Sequence, residues 1–406
     1  MMKQYLLTER AHLMCPNMCF GIAATIDAPY DSKRIRESLI ALETAHPFLR
    51  ALLGYESNTN QYYYDISEYG KTTLTGASRN SDLTIQERIL RDYEEIIQKD
   101  FDLRKEGMLK IYTYDNGESI SALFVFHHLL TDGRGGMGLV KEFAEKYVND
   151  TDPNHVEERL IASMEDLPKN SELPLISKAL IKYCNKKWKK EKQMVSYPQY
   201  HDFADHYVKK YPVKHNISMV EKDVLEEIIR KCKQAQVTMN DYLLAKMFIE
   251  DNAKKIIIAS DIREKIHCYQ PGALGNYSTA FGVTCNSSVK EPIELAKIVH
   301  KKVKKMLSDN KVAMQVLSCY ITMDPGLIDA AAISTLGTFK SKVGEFVGGK
   351  IFGFKNQNGY GISNLGKIES PCIKNAIFIP PASPAAKKII GVLTVNGRMC
   401  RCTTER

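Results

Sequence analysis

Most of the features that would settle a function quickly are missing from this chain. Neither HExxH nor CxxC occurs in its 406 residues, so the commonest zinc-ligand spacings are absent. The ten cysteines lack paired spacing, and several, such as Cys19 and Cys285, lie in apolar stretches. That pattern suits a reducing cytoplasm, which is the expected compartment, and not a disulfide framework. No apolar run approaches the ~18 residues that a membrane span needs. The opening MMKQYLLTERAHLM is interrupted by Glu9, Arg10 and His12, unlike a signal peptide. Charge of one sign is also lacking: 56 basic residues face 48 acidic ones, a net +8 that gives nucleic acid no basic field to bind and favours, at most, anionic partners.

What remains is ordinary globular composition, 44% hydrophobic and 26% charged, with chain enough for a sizeable core. Cys19 to Ile26 reads as a strand, followed by a helix that Asp31 or Ser32 caps and that runs to about Ala45. Strand-like runs follow at Ala51 to Tyr55 and Gln61 to Ile66, then a helix over about Ile85 to Gln98. An N-terminal lobe, residues 1–150, ends near Asp150. Residues 151–212 form a connector with Pro153, Pro168, Pro174 and Pro198 and one basic helix, Leu175 to Lys192, which holds the chain's single tryptophan, Trp188. A second lobe, 213–406, opens again with strand then helix: His215 to Val220, then Glu221 to Gln236, then a helix capped by Thr238 or Asn240. Further helices are expected at about Ile293 to Ser308 and Ser334 to Phe346, with strands in Lys254 to Ser260, Ile362 to Ile368, Ala376 to Ile379 and Lys388 to Val395.

The stretch SISALFVFHHLLTDGRGG, Ser119 to Gly136, organises the rest. Two apolar runs, Leu109 to Tyr114 and Ile120 to Phe126, flank Asn116-Gly117, the dipeptide of a tight hairpin. The second run ends on His127 and His128, and after Gly135 and Gly136 a helix begins with Leu139, Val140, Phe143 and Tyr147 on one face. Neighbouring side chains of a strand point to opposite faces, so one histidine can face a cavity while the other packs inward. The same alternation argues against both ligating one metal ion, and no metal site is expected. A neutral imidazole with a pKa near ~6.5 can take a proton from a hydroxyl or amine near neutral pH.

HHLLTDG, His127 to Gly133, matches the signature of acyltransferases similar to chloramphenicol acetyltransferase, a superfamily that includes peptide-synthetase condensation domains, polyketide-associated acyltransferases and alcohol acetyltransferases. HPFLR (46–50), FDL (101–103), TMNDYLLAKMFIE (238–250) and GNYSTAF (275–281) resemble family phrases at corresponding places. The resemblance implies an α+β fold of two lobes, each a mostly antiparallel sheet covered by helices, with the active-site channel between them. It implies His128 as general base, His127 as a structural residue, and Asp132 as a structural carboxylate; Arg263 in DIR is the expected partner. Gly133 would ease the turn and leave room for a pantetheine arm, and Arg134 could reach a phosphate or lie in solvent. Ser363 and Asn364 of ISNLG are oxyanion candidates, although Ser-Asn before Gly also makes a good turn. Asn276 is expected to line the channel and hold a neighbouring loop. The DFGWG phrase of plant members is missing, and IFGFKNQ (351–357) is the nearest text, which argues against that branch.

The expected activity is acyl transfer from coenzyme A to a small alcohol or amine, directly and without a bound cofactor; the thioester is a co-substrate. Two readings stay beside it: a condensation-type protein taking its acyl group from an acyl carrier protein, and a non-catalytic docking protein of the same fold. The chain is expected to stand alone, as a monomer whose two lobes supply the interface that single-lobe relatives form by trimerising. The basic helix reads as a solvated face, or as a docking surface for an acidic carrier protein, a membrane surface or a hydrophobic acceptor.

Overall fold

The turn between the two central strands shows how the sequence builds this molecule. Gly117 takes φ of 85°, which only glycine adopts without cost, and its N–H donates to Asp115 Oδ1 at 2.8 Å. Leu109–Asp115 and Ile120–His127 then pair antiparallel from Asp115↔Ile120 to Leu109↔Phe126. The computed structural model describes residues 3–76, 83–99, 101–191, 193–337 and 339–406.

Five strands form the first sheet, in the order Ile373–Ile379, Cys19–Ile26, Ile120–His127, Leu109–Asp115, Thr73–Gly76. Every pair is antiparallel except the last. The histidine strand lies at its centre, all eight residues buried. Helices Ser32–Ala45, capped by Asp31, and Ile85–Ile97, with a Thr84–Glu87 capping box, cover this lobe together with Gly133–Asn149. The second sheet has six strands, ordered Ser278–Thr284, Lys255–Asp261, Gly359–Ile368, Ala386–Val395, Arg398–Glu405, Lys214–Val220. Its two central pairings, on either side of Gly359–Ile368, are parallel and the others antiparallel. These two mostly antiparallel sheets covered by helices, with a small third sheet of Gln4–Tyr5, Gln61–Ile66 and Ala51–Glu56, are the α+β architecture expected.

Several expectations need correcting. Strand Ile373–Ile379 lies in the 213–406 segment but crosses to the edge of the N-terminal sheet, pairing with Cys19–Ile26. The lobes are therefore laced together, not simply consecutive. The connector holds a second helix, Tyr197–Lys210, because Ser196 and Gln199 form a capping box and Pro198 sits in the first turn, where its missing N–H costs nothing. The basic helix runs Leu175–Glu191 and buries Ile181, Cys184 and Trp188; Lys192 lies outside the described residues. The helix expected over 334–346 is two pieces: Pro325–Leu336, buried along its length, and Lys342–Phe346. Residue 338, between them, is outside the described set. Among the described residues no single helix is long and apolar enough to cross a membrane.

Candidate active site

The histidine strand ends with its backbone held on both flanks. His127 N–H donates to Met108 O at 2.9 Å on one side, and His128 N–H donates to Met18 O at 2.8 Å on the other. The side chains accordingly diverge. His127 is 2% exposed, packs edge-on against Phe101, and accepts the Leu129 N–H at Nδ1 (3.1 Å). Burial, then the neighbouring His128 and Lys110, push its pKa down to about 3, so it stays neutral and structural.

His128 turns into a cavity of about 710 Å³ between the two sheets. Its Nδ1 lies 2.9 Å from Asn276 Oδ1. The amide orientation is fixed independently, because Asn276 Nδ2 donates to the carbonyls of His128 (2.9 Å) and Leu129 (3.3 Å). Oδ1 must then accept, so Nδ1 carries the proton and Nε2 the lone pair. Nε2 has no hydrogen-bond partner among the described residues. Burial lowers the pKa of His128, with the Asp132 charge and the Asn276 bond acting in the opposite direction. Asn276 itself is buried behind the imidazole, so it orients His128 and does not line the cavity.

Two aromatic rings complete the setting. His12 lies flat on His128, centroids 4.3 Å apart and planes 11° from parallel, and Phe20 meets it edge-on at 5.4 Å. Nothing local in the sequence marked His12, which there only interrupts an apolar start. It reaches the cavity because its neighbour Arg10 is anchored: Arg10 Nε donates to Asp329 Oδ1 at 2.8 Å, both side chains almost fully buried. His12 is itself held well below the ordinary imidazole pKa by burial first, then by His128 and His127.

Asp132 serves three donors. Oδ1 accepts from Gly135 N–H (2.9 Å), capping Gly133–Asn149, and from Arg263 Nη2 (2.8 Å); Oδ2 accepts the Tyr277 N–H at 3.0 Å. The carboxylate therefore ties the histidine loop to the second lobe, and has no proton-transfer duty left. Arg263 Nε donates to Asp261 Oδ1 as well, at 2.8 Å. Arg134 lines the cavity with its side chain half exposed, and its Nη1 is 3.1 Å from Asp261 Oδ2. Gly133 departs from expectation too. Its φ is not positive, so the turn does not require glycine. A Cβ there would fall 2.6 Å from Leu365 Cδ2, so the glycine lies in close approach to a side chain of the strand that carries Ser363 and Asn364.

That strand, Gly359–Ile368, pairs with Lys255–Asp261 only as far as Ile362↔Ile258. Beyond that point the pairing stops and leaves a wedge, the end of the cavity that holds His128. Ser363 and Asn364 line it with His128. They lie in strand and not in a turn, with Asn364 Oδ1 accepting the Gly366 N–H at 2.9 Å beside an irregularity in the ladder. Away from the wedge, Ile257, Ala259, Ala280, Gly282 and Gly361 give the cavity a small-residue floor. Ile351, Phe352 and Phe354 wall it, so IFGFKNQ contributes to the channel after all. Cys15 also lines it, but burial pushes its thiol up to about 12. No group of His, Cys, Asp and Glu able to hold a metal occurs among the described residues.

The sequence profile of the condensation domain matches residues 19–249, more than half of the chain. No curated protein sequence is similar enough to count as a match. Among solved structures, the chain is similar to the first condensation domain of the calcium-dependent antibiotic synthetase in complex with a substrate analogue (TM-score 0.62, 10% identity, covering 100% of this chain and 92% of that one). It is similar also to the condensation domain of the monacolin K polyketide synthase MokA (0.61, 11%, 100% and 92%). Polyketide synthase associated protein 5 from Mycobacterium tuberculosis is a third (0.57, 12%, 100% and 92%). At these identities the likeness is one of fold.

Proposed function

Because the chain belongs to the condensation domain family, we propose that it moves an acyl group from a thioester to a hydroxyl or amine, with His128 as the general base. The observation that carries this reading is the Asn276–His128 bond, which commits the Nδ1 proton and leaves Nε2 to work in the cavity. As the acceptor oxygen or nitrogen attacks the thioester carbonyl, its proton passes to His128 Nε2. The tetrahedral oxyanion then collapses, the carbon–sulfur bond breaks, and the leaving thiolate takes that proton. A thioester is already activated, so orientation and an oxyanion donor supply the rest. Ser363 Oγ and the Asn364 side chain, on the diverging strand, are the donors of choice. Transfer is direct: the one cysteine among the cavity residues discussed, Cys15, is held as the unreactive thiol by its burial.

The donor is acyl-coenzyme A in the first reading. Lys255 stands exposed on the cavity rim without an ion pair among the described residues and is suited to a phosphate. Family membership favours a second, an acyl group delivered on a carrier protein, since relatives include condensation domains of peptide and polyketide synthases.

Thiol release from acetyl- to octanoyl-coenzyme A, with a panel of alcohols and amines, tests both. The expected result is acceptor-dependent release that His128→Ala lowers by about 10²–10⁴ and Cys15→Ser leaves intact. Transfer from an acyl-loaded carrier protein alone would select the second donor. Ligand binding without turnover from either donor would assign a docking protein.

A further inference from the structure

The helix Leu175–Glu191 is fixed on one face and unpartnered on the other. Ile181, Cys184 and Trp188 bury its inner stripe. Asn185 accepts the Asp324 N–H at 2.9 Å and donates to Thr322 O at 3.0 Å, and Glu191 receives Ser341 Oγ and the Val343 N–H. The helix is therefore a rigid part of the molecule whatever lies outside it. Outward face Leu175 and Ile176, 85% and 86% exposed, with Leu180 and Tyr183 continuing the patch at 39% and 57%. Leaving two aliphatic side chains almost wholly in water, side by side, is an unrelieved hydrophobic cost.

Lysines surround that patch: Lys178, Lys182, Lys186, Lys187, Lys189 and Lys190. None makes an ion pair among the described residues, whereas other surface helices carry matched pairs such as Lys141–Glu145, Lys231–Glu227 and Lys246–Glu250. The helix's single carboxylate, Glu191, is spent on Ser341 and Val343. A convex strip with protruding aliphatics at one end, and flexible cations along it, fits a surface that is apolar beneath and anionic at its boundary.

We propose that this helix docks the protein onto an anionic lipid surface, with Leu175 and Ile176 entering the headgroup boundary and the lysines meeting lipid phosphates. An acidic protein could meet the cations, but it offers nothing in particular to two exposed aliphatics on a convex turn. The helix Pro325–Leu336, against which Trp188 packs at Gly326, lines the cavity with Ile328 and Ala332. One helical layer thus separates the docking face from the channel, which would bring a lipid-borne reactant close to it.

Flotation with vesicles of phosphatidylcholine containing about a third phosphatidylglycerol tests the proposal, and needs no substrate, so it stands apart from the acyl-transfer reading. The full chain is expected to float with these vesicles and not with phosphatidylcholine alone. Both Leu175→Glu/Ile176→Glu and Lys186→Glu/Lys187→Glu should weaken binding by about tenfold or more, with unchanged unfolding temperatures, since all four positions are exposed. Lys301→Glu/Lys304→Glu, the same charge change on another helix, should alter it by less than about twofold. Absence of flotation overturns the proposal. So does binding that follows net charge alone, with the three variants equivalent or the aliphatic pair irrelevant. Binding of an acyl carrier protein that the helix variants abolish, with no lipid binding, would reassign the face to a protein.

Discussion

The imidazole of His12 lies face to face on that of His128, 4.3 Å between centroids. A neutral ring in that position does two things for a base. It blocks rotation out of the plane set by Asn276, and in the proposed reaction it would present a π face to the imidazolium. It cannot itself be charged at the same time, because two cations this close, in a buried site, repel strongly.

His12→Ala is therefore expected to lower kcat by about fivefold, in line with a stacking contribution of about 1 kcal/mol, while KM changes little. His12→Phe keeps the face and should recover most of the loss. Recovery by Asn but not by Phe would show that a hydrogen bond from His12 matters and the stack does not.

His128→Ala should cost about 10²–10⁴ in turnover, the usual worth of a positioned base. His127→Ala should instead lower the unfolding temperature, since it removes a ring packed on Phe101 and the acceptor for the Leu129 N–H. The pH profile carries a sign: burial lowers the pKa of His128, so the neutral, active form persists below the ordinary value near ~6.5. The acidic limb of kcat/KM is expected below that value. A limb at or above it would contradict the assigned environment.

The buried Asp132–Arg263 pair predicts non-additivity. Each substitution removes one charged partner of the other residue, so Asp132→Asn and Arg263→Ala should both destabilise, and the double variant should lose less than the sum. The structure sharpens this, because Arg263 keeps Asp261 as a second carboxylate and Asp132 keeps its two N–H donors. Strict additivity in thermal unfolding would mean the pair contributes nothing of its own.

The motif half of the candidate site was legible because it is local. One strand, one turn and one helix deliver His127, His128, Asp132 and Gly133 in seven residues, and alternation along a strand separates the two histidines. Arg263 could be matched to Asp132 through the family phrase alone. What the sequence did not carry is the contribution of distant segments. His12 comes to His128 through a buried ion pair between Arg10 and Asp329, 319 residues apart. Asn276 seemed a channel residue, but it lies just before strand Ser278–Thr284 with its side chain bonded to His128 and Leu129. Ile373–Ile379 reads as one more C-terminal strand, since nothing in its own residues states which sheet edge it will find. Gly133 shows the same limit at one residue: glycine suggests a turn, and only the packing of Leu365 reveals the close approach.

His46, in the phrase HPFLR, makes the molecule's stability depend on pH in a direction that can be stated. Its Nε2 lies 2.7 Å from Glu142 and its Nδ1 3.0 Å from Glu158, joining the end of the first helix to the motif helix and the connector. Burial alone would lower its pKa, but the two carboxylates outweigh that and raise it to about 9. The unfolded chain has the ordinary value near ~6.5, so the folded state holds its proton more tightly between the two values. The resulting stability is complete below the unfolded pKa and disappears as pH rises through about 9. A shift of that size corresponds to roughly 2–4 kcal/mol, a sizeable part of a domain's total. His46→Gln should accordingly be less stable than the natural protein at pH 6.5 by an amount of that order, with the two urea-unfolding curves converging by about pH 10. His127 acts at the other end of the scale: folded near 3, it makes the unfolded chain the better proton acceptor and favours unfolding as pH falls below ~6.5. A difference between natural protein and His46→Gln that stays constant from pH 6 to 10 would mean that His46 is neutral in the fold, and that the two glutamates hold it by hydrogen bonds alone.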